Sequence, residues 1–169
     1  PAETRGIVSE TFDGVNFADL PPVKYSLEYK VEKAICFANP TVREYEIAVF
    51  SHTARTYPVE SMWVTHYRYA NPSFWPNLFG CACPHCREDA ARKGFDMDRM
   101  GRSMAGLLKT LRNLDKKTLE QASRFKMTFT DFLTLLGEDN GVLDWIVFRA
   151  SVEGDQFRNI RKAVRAATD

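Results

Sequence analysis

No run of apolar residues in this sequence approaches the length of a bilayer span, so no transmembrane helix is expected. A basic-then-apolar leader is missing as well. Residue 1 is Pro1 rather than Met, and the expectation is a processed form or an excised piece of a longer protein. Charge of one sign is lacking too. The 23 lysines and arginines are nearly cancelled by 22 aspartates and glutamates, so no global field draws the chain toward nucleic acid or an acidic membrane surface. Cysteine is sparse, with four in 169 residues, whereas a disulfide-stapled small domain uses more cysteines on fewer residues. Such usage suits a metal site or ordinary thiols; it leaves the compartment open, with a cytoplasmic one favoured. There is no internal repeat and no low-complexity tract. The length fits one domain, residues 1–169, with enough chain to bury a core.

What is present divides into local signals. Gly6 to Phe12 reads as a short strand, followed by a loop rich in Gly, Asp and Pro. Asn39 is placed to cap a helix that opens with Pro40, where a missing N–H costs nothing. Val42, Tyr45, Val49 and Phe50 line one face of that helix, and Pro58 closes it. Val59 to Tyr69 is rich in β-branched and aromatic residues and predicts a strand. A helix that turns directly into such a strand is an αβ unit of a parallel sheet. Farther on, Asp96 caps a segment in which Met97, Met100, Met104, Leu107, Leu108 and Leu111 form one stripe. A shorter helix is expected in "MTFTDFLTLLG". The last element carries Leu143, Ile146, Val147, Ala150, Phe157, Ile160 and Val164 at helical spacing, with a bend expected at Gly154. Its cations Arg149, Arg158, Arg161, Lys162 and Arg165 are expected on a solvated outer face.

The densest chemistry lies in "FGCACPHCRED", where Cys81, Cys83 and Cys86 fall within six residues. Zinc takes four soft or borderline ligands at tetrahedral positions, and thiolates about 2.3 Å away suit it. A C-x-C-x-x-C turn can aim three sulfurs at one point, which leaves one corner to fill. Cys36, just ahead of the first helix, is preferred for it over His85, whose neighbour Cys86 is already committed. Plain thiols, or a Cys83–Cys86 redox pair, are the other readings. With four protein ligands the ion would be structural, because no position remains for a reacting water.

"CFANPTVREYEIAVF", "YPVESMWVTHYRYA" and "CACPHCREDAARKGFDM", taken in that order, resemble the middle of glycoside-hydrolase-like TIM barrels. These include the family 42 β-galactosidases and related uncharacterised hydrolase-like proteins. The resemblance covers about Ile35 to Met100, with a weaker echo in "LDWIVFRASVEGDQFRNIRKAV". It implies a partial (β/α)8 barrel segment, helix-rich, with a cysteine-rich zinc loop after a barrel strand. It also implies that Cys36 joins Cys81, Cys83 and Cys86 around a structural zinc ion. The chain departs from the family at the strand that carries the acid/base carboxylate. The family's Asp-Asn-Glu falls on Thr65, His66 and Tyr67, none of them a carboxylate, whereas glycosidase chemistry uses two.

In a barrel the site lies at the carboxyl ends of the strands. The candidate catalytic residues there are Glu10 at the end of the first strand, His66 as a proton carrier and Arg68 as an anion clamp. Tyr67, Tyr69 and Trp75 are candidate sugar-contacting residues. Each also has a structural reading: Trp75 as a packed loop anchor, Glu10 and Arg68 as an ion pair, His66 as a core group. The expected partner is a carbohydrate, with neither nucleic acid nor membrane. A zinc module for nucleic acid would cluster cations around the cysteines, and Arg87, Arg92 and Lys93 are interrupted by Glu88 and Asp89. A non-catalytic zinc-stabilised module binding carbohydrate or protein is the alternative. A complete barrel needs about 250 residues, so the chain reads as an incomplete part of one.

Overall fold

The computed structural model describes residues 10, 12, 14, 19, 23–25, 28–30, 35–64, 80–113, 117 and 140–168. Four helices dominate them: α1 (Pro40–Thr56), α2 (Pro84–Arg92), α3 (Met97–Arg112) and α4 (Gly141–Thr168). The one sheet among the described residues is a two-stranded antiparallel ribbon, in which β1 (Val23–Tyr25) pairs with β2 (Glu28–Lys30).

Local chemistry sets each helix end. The Asn39 side chain accepts from the N–H groups of Thr41 at 2.8 Å and Val42 at 3.4 Å, and Pro40 takes the first helical position. Pro84 likewise starts α2 directly after Cys83. The exit of α2 is a Schellman turn: Gly94 sits at φ +81, its N–H reaches Ala91 O at 3.1 Å, and the Phe95 N–H reaches Ala90 O at 2.9 Å. Asp96 caps α3 by accepting from the Arg99 N–H at 2.9 Å, and those caprock hydrogen bonds hold the Asp96 carboxyl below its usual range.

The core lies where α1, α3 and α4 meet the cysteine loops. Met97, Met100 and Met104 of α3 are buried there, with Leu107 and Leu108 partly buried beside them, as the stripe predicts. From α4 come Val142, Trp145, Phe148 and Val152. Phe12 packs tilted against Trp145 with ring centroids 4.8 Å apart, and the Phe95 and Phe148 ring centroids lie 5.7 Å apart. Helix α4 packs most extensively on α1 and next on α3. Gln156, fully buried, ties α4 to α1 by donating to Arg43 O at 3.1 Å and Glu46 Oε2 at 2.9 Å.

Several expectations need correction. The α/β class, a partial (β/α)8 barrel, is overturned: the described residues are helix packed on helix, with no parallel strand pair among them. Val59 to Val64, the described part of the second expected strand, is not a strand. Its β-branched and aromatic residues favour a pleated, half-buried surface, and there is no neighbouring strand among the described residues to make one; Trp63 is 91% exposed. Helix α4 is also rotated from the face the sequence suggests. Of its seven apolar positions named above only Ile160 is buried, whereas Trp145, Phe148 and Val152 on the opposite side enter the core, and the helix runs unbroken through Gly154. On α1, Val42 is buried but Tyr45 and Val49 are exposed. The expected helix in "MTFTDFLTLLG" and most of the Gly6–Phe12 strand lie outside the described residues.

Candidate metal centre

Cys36 sits in the turn that leads into α1, where the Asn39 N–H closes back on Cys36 O at 3.0 Å. The cap that starts α1 therefore also positions the sulfur. Cys83 is the residue just before α2 and Cys86 lies in its first turn, so a local helix start aims two sulfurs the same way. A helix N-terminus, with its unpaired N–H groups and positive dipole end, favours thiolates. Cys81 is delivered by an extended stretch paired with Glu10: the Ala82 N–H donates to Glu10 O at 2.7 Å, and the Glu10 N–H donates to Cys81 Sγ at 3.2 Å.

The four sulfurs converge. Cys36 Sγ lies 3.4 Å from Cys83 Sγ and 3.5 Å from Cys86 Sγ, and all four lie within 4.8 Å of one another. All four cysteines are free and buried. Cys36 thus supplies the fourth corner, and His85 lies outside the set. Four cysteines this close could hold a metal ion. Hydrogen bonding inside the cluster divides the thiols. Bonds to Cys81 and Cys83 push Cys36 up, and bonds to Cys36, Cys81 and Cys83 push Cys86 up. Conversely, the bond from Cys36 pushes Cys81 down, and bonds from Cys36, Cys81 and Cys86 push Cys83 down. A divalent cation at the centre would compete with protons for all four sulfurs.

A second ring of residues, invisible to motif reading, braces the cysteines. Arg87, next to Cys86, donates from Nε to Ala82 O at 3.1 Å and pairs with Asp98 at 2.8 Å. Arg43 of α1 donates from Nε to Phe37 O at 2.7 Å, fixing the loop after Cys36. Outer groups of this kind orient metal ligands and are part of the site. The signal for Arg87 was its adjacency to the last cysteine. For Glu10 no local signal exists, because its backbone is what contacts Cys81.

Of the residues expected to act on sugar, only Glu10 is described. Burial and the neighbouring Cys83 push its carboxyl up, and Arg87 pulls against them. His66, Tyr67, Arg68, Tyr69 and Trp75 lie outside the described residues. No described helix is long and apolar enough to cross a membrane. Comparison with family models, curated proteins and solved structures found no match to this chain.

Proposed function

We propose that Cys36, Cys81, Cys83 and Cys86 hold a structural zinc ion, and that the chain is a zinc-stabilised, helix-rich unit in which that ion does no chemistry on substrate. The observation that carries this reading is the convergence of four buried sulfurs from two separated loops. Sulfurs at the corners of a zinc tetrahedron would be about 3.8 Å apart for bonds of about 2.3 Å, and the spacings of 3.4 and 3.5 Å lie close to that value. An all-sulfur tetrahedral set selects zinc or iron over hard cations. Four protein ligands leave no open position, so the ion's contribution is to folding, where structural zinc supplies about 10–16 kcal/mol in small zinc modules.

The test is elemental analysis of purified protein. One zinc per chain is expected, without the visible absorption of an iron–thiolate centre. Cys36→Ser should lose the zinc and His85→Ala should keep it. Full zinc content in Cys36→Ser would defeat the four-thiolate site.

A second reading, that the chain belongs to a glycoside-hydrolase-like protein acting on or binding carbohydrate, is favoured by one observation. The resemblance joins Cys36 to Cys81, Cys83 and Cys86, and these are the four sulfurs that converge. Aryl glycoside turnover and oligosaccharide binding are the assays. Absence of both would remove this reading and leave the zinc site untouched.

A further inference from the structure

Helix α4 has a face that the core formed by the described residues does not use. Val142, Trp145, Phe148, Val152, Gln156 and Ile160 turn inward. On the opposite side, Leu143, Ile146 and Val147 remain 43, 40 and 47% exposed. From Leu143 a line of steps of three or four residues runs through Val147, Ala150, Gly154, Arg158 and Arg161 to Arg165. At 3.6 residues per turn this is one straight ridge. Its first part is apolar and its last part is basic. Arg158, Arg161, Lys162 and Arg165 line a shallow groove of about 370 Å³. Arg158 is paired with Asp155 at 2.5 Å, while Arg161, Lys162 and Arg165 have no carboxylate partner among the described residues.

We propose that this ridge is a docking surface for an acidic amphipathic segment of another protein. Apolar side chains of the segment would cover Leu143, Ile146 and Val147, and its carboxylates would meet Arg161, Lys162 and Arg165. Charge complementarity and the lengthwise order of the ridge select this occupant. Like charges one turn apart on a helix repel, and a run of carboxylates relieves that repulsion. Cations in the last turns also complement the helix dipole, which accounts for the charge but not for the apolar residues that continue the same line. A second copy of α4 fits poorly: parallel pairing sets cations on cations, and antiparallel pairing sets cations on Leu143, Ile146 and Val147. A lipid surface asks for an apolar face flanked by cations along its whole length, whereas here the two characters follow one another. Nucleic acid would satisfy the cations and leave the apolar part uncovered.

An antiparallel helix places its own N-terminal turns over the basic end, where acidic residues also suit its dipole. The probe is therefore a labelled synthetic helical peptide with glutamates in its N-terminal half and a leucine and isoleucine stripe in its C-terminal half. It is titrated into the full chain by fluorescence anisotropy. Saturable binding is expected. Triple reversal of Arg161, Lys162 and Arg165 to Glu should weaken it by about tenfold or more and remove its salt dependence. Ile146→Asp should weaken it while leaving the salt dependence in place. All of these positions are on the surface, so unchanged helicity and zinc content would separate lost docking from lost folding. No saturable binding would overturn the proposal. So would equal binding of a peptide with lysines for glutamates, or stronger binding of phosphatidylserine vesicles or of an RNA oligonucleotide than of the peptide.

Discussion

At Asp89 one buried carboxylate in α2 is met by cations from two helices. Arg43 of α1 lies 3.6 Å away, Lys93 lies 3.1 Å away, and Arg92 pairs with the other oxygen. Lys93 then continues to Asp155 at 2.6 Å and Ser151 Oγ at 3.1 Å, both on α4. Removing one member of a buried charge network costs more than the network contributes net, because its partners are left uncompensated. Asp89→Ala should therefore destabilise the protein by about 3 kcal/mol in a denaturant titration. A loss within that of an exposed ion pair, below about 1 kcal/mol, would show that Arg43 and Lys93 find other partners. Asp155 gives a pH signature. Burial pushes its carboxyl up, but Lys93 and Arg158 outweigh it and hold it below its ordinary 3.8. A depressed folded value means the pair stabilises the protein above that pH and loses this effect as pH falls through the folded value. Wild type should accordingly lose stability faster than Asp155→Asn as the pH is lowered below about 4. Parallel acid limbs for the two proteins would contradict this.

Among the elements, those with complete local punctuation were legible. Helix α1 announced itself through Asn39, Pro40 and Pro58, and α3 through Asp96 and its methionine stripe; both cap side chains are in use. Helix α4 has apolar residues on two sides, so spacing alone could not tell which side was buried. Trp145 and Phe148 win because they bury the larger rings against Phe12 and Phe95. The segment from Val59 to Val64 was misread because strand preference depends on having neighbours. The Schellman turn at Gly94 yields an element-scale prediction. Its φ of +81 is a conformation glycine adopts freely and alanine does not. The space around it is open, so backbone strain alone should make Gly94→Ala cost about 1 kcal/mol. Thermal unfolding checks this, with a decrease in Tm of several degrees expected. An unchanged Tm would mean that the turn relaxes.

For the whole molecule, the cysteine cluster joins the stretch before α1, the stretch at Glu10 and the start of α2 in the same core as α3 and α4. Chelation should consequently unfold more than one loop. A cooperative loss of helical circular dichroism on adding a strong chelator, reversed by zinc, is expected. Unchanged helicity in metal-free protein would show that packing alone maintains the fold. An ion held by these four sulfurs should also be released by acid, since protons compete for the thiolates. The four converging cysteines were readable from the sequence because thiolate chemistry narrows the choices to very few residues. The architecture was not, because the resemblance reached it by way of strands that the described residues do not form. The bracing by Glu10 and Arg43 depends on backbone atoms brought near by folding, which a linear pattern does not encode.

The separation of the cysteines along the chain orders events during synthesis. Cys36 leaves the ribosome first, and Cys86 follows 50 residues later. At about 5–20 residues per second that gap lasts several seconds. Cys81 and Cys83 emerge just ahead of Cys86, and an ion held by the four sulfurs would then close a loop whose entropy in the unfolded chain is worth about 4 kcal/mol as a cross-link. Such an ion would set the corner between α1 and α2 while α4 is still being made, and α4 would be laid onto a surface already in place.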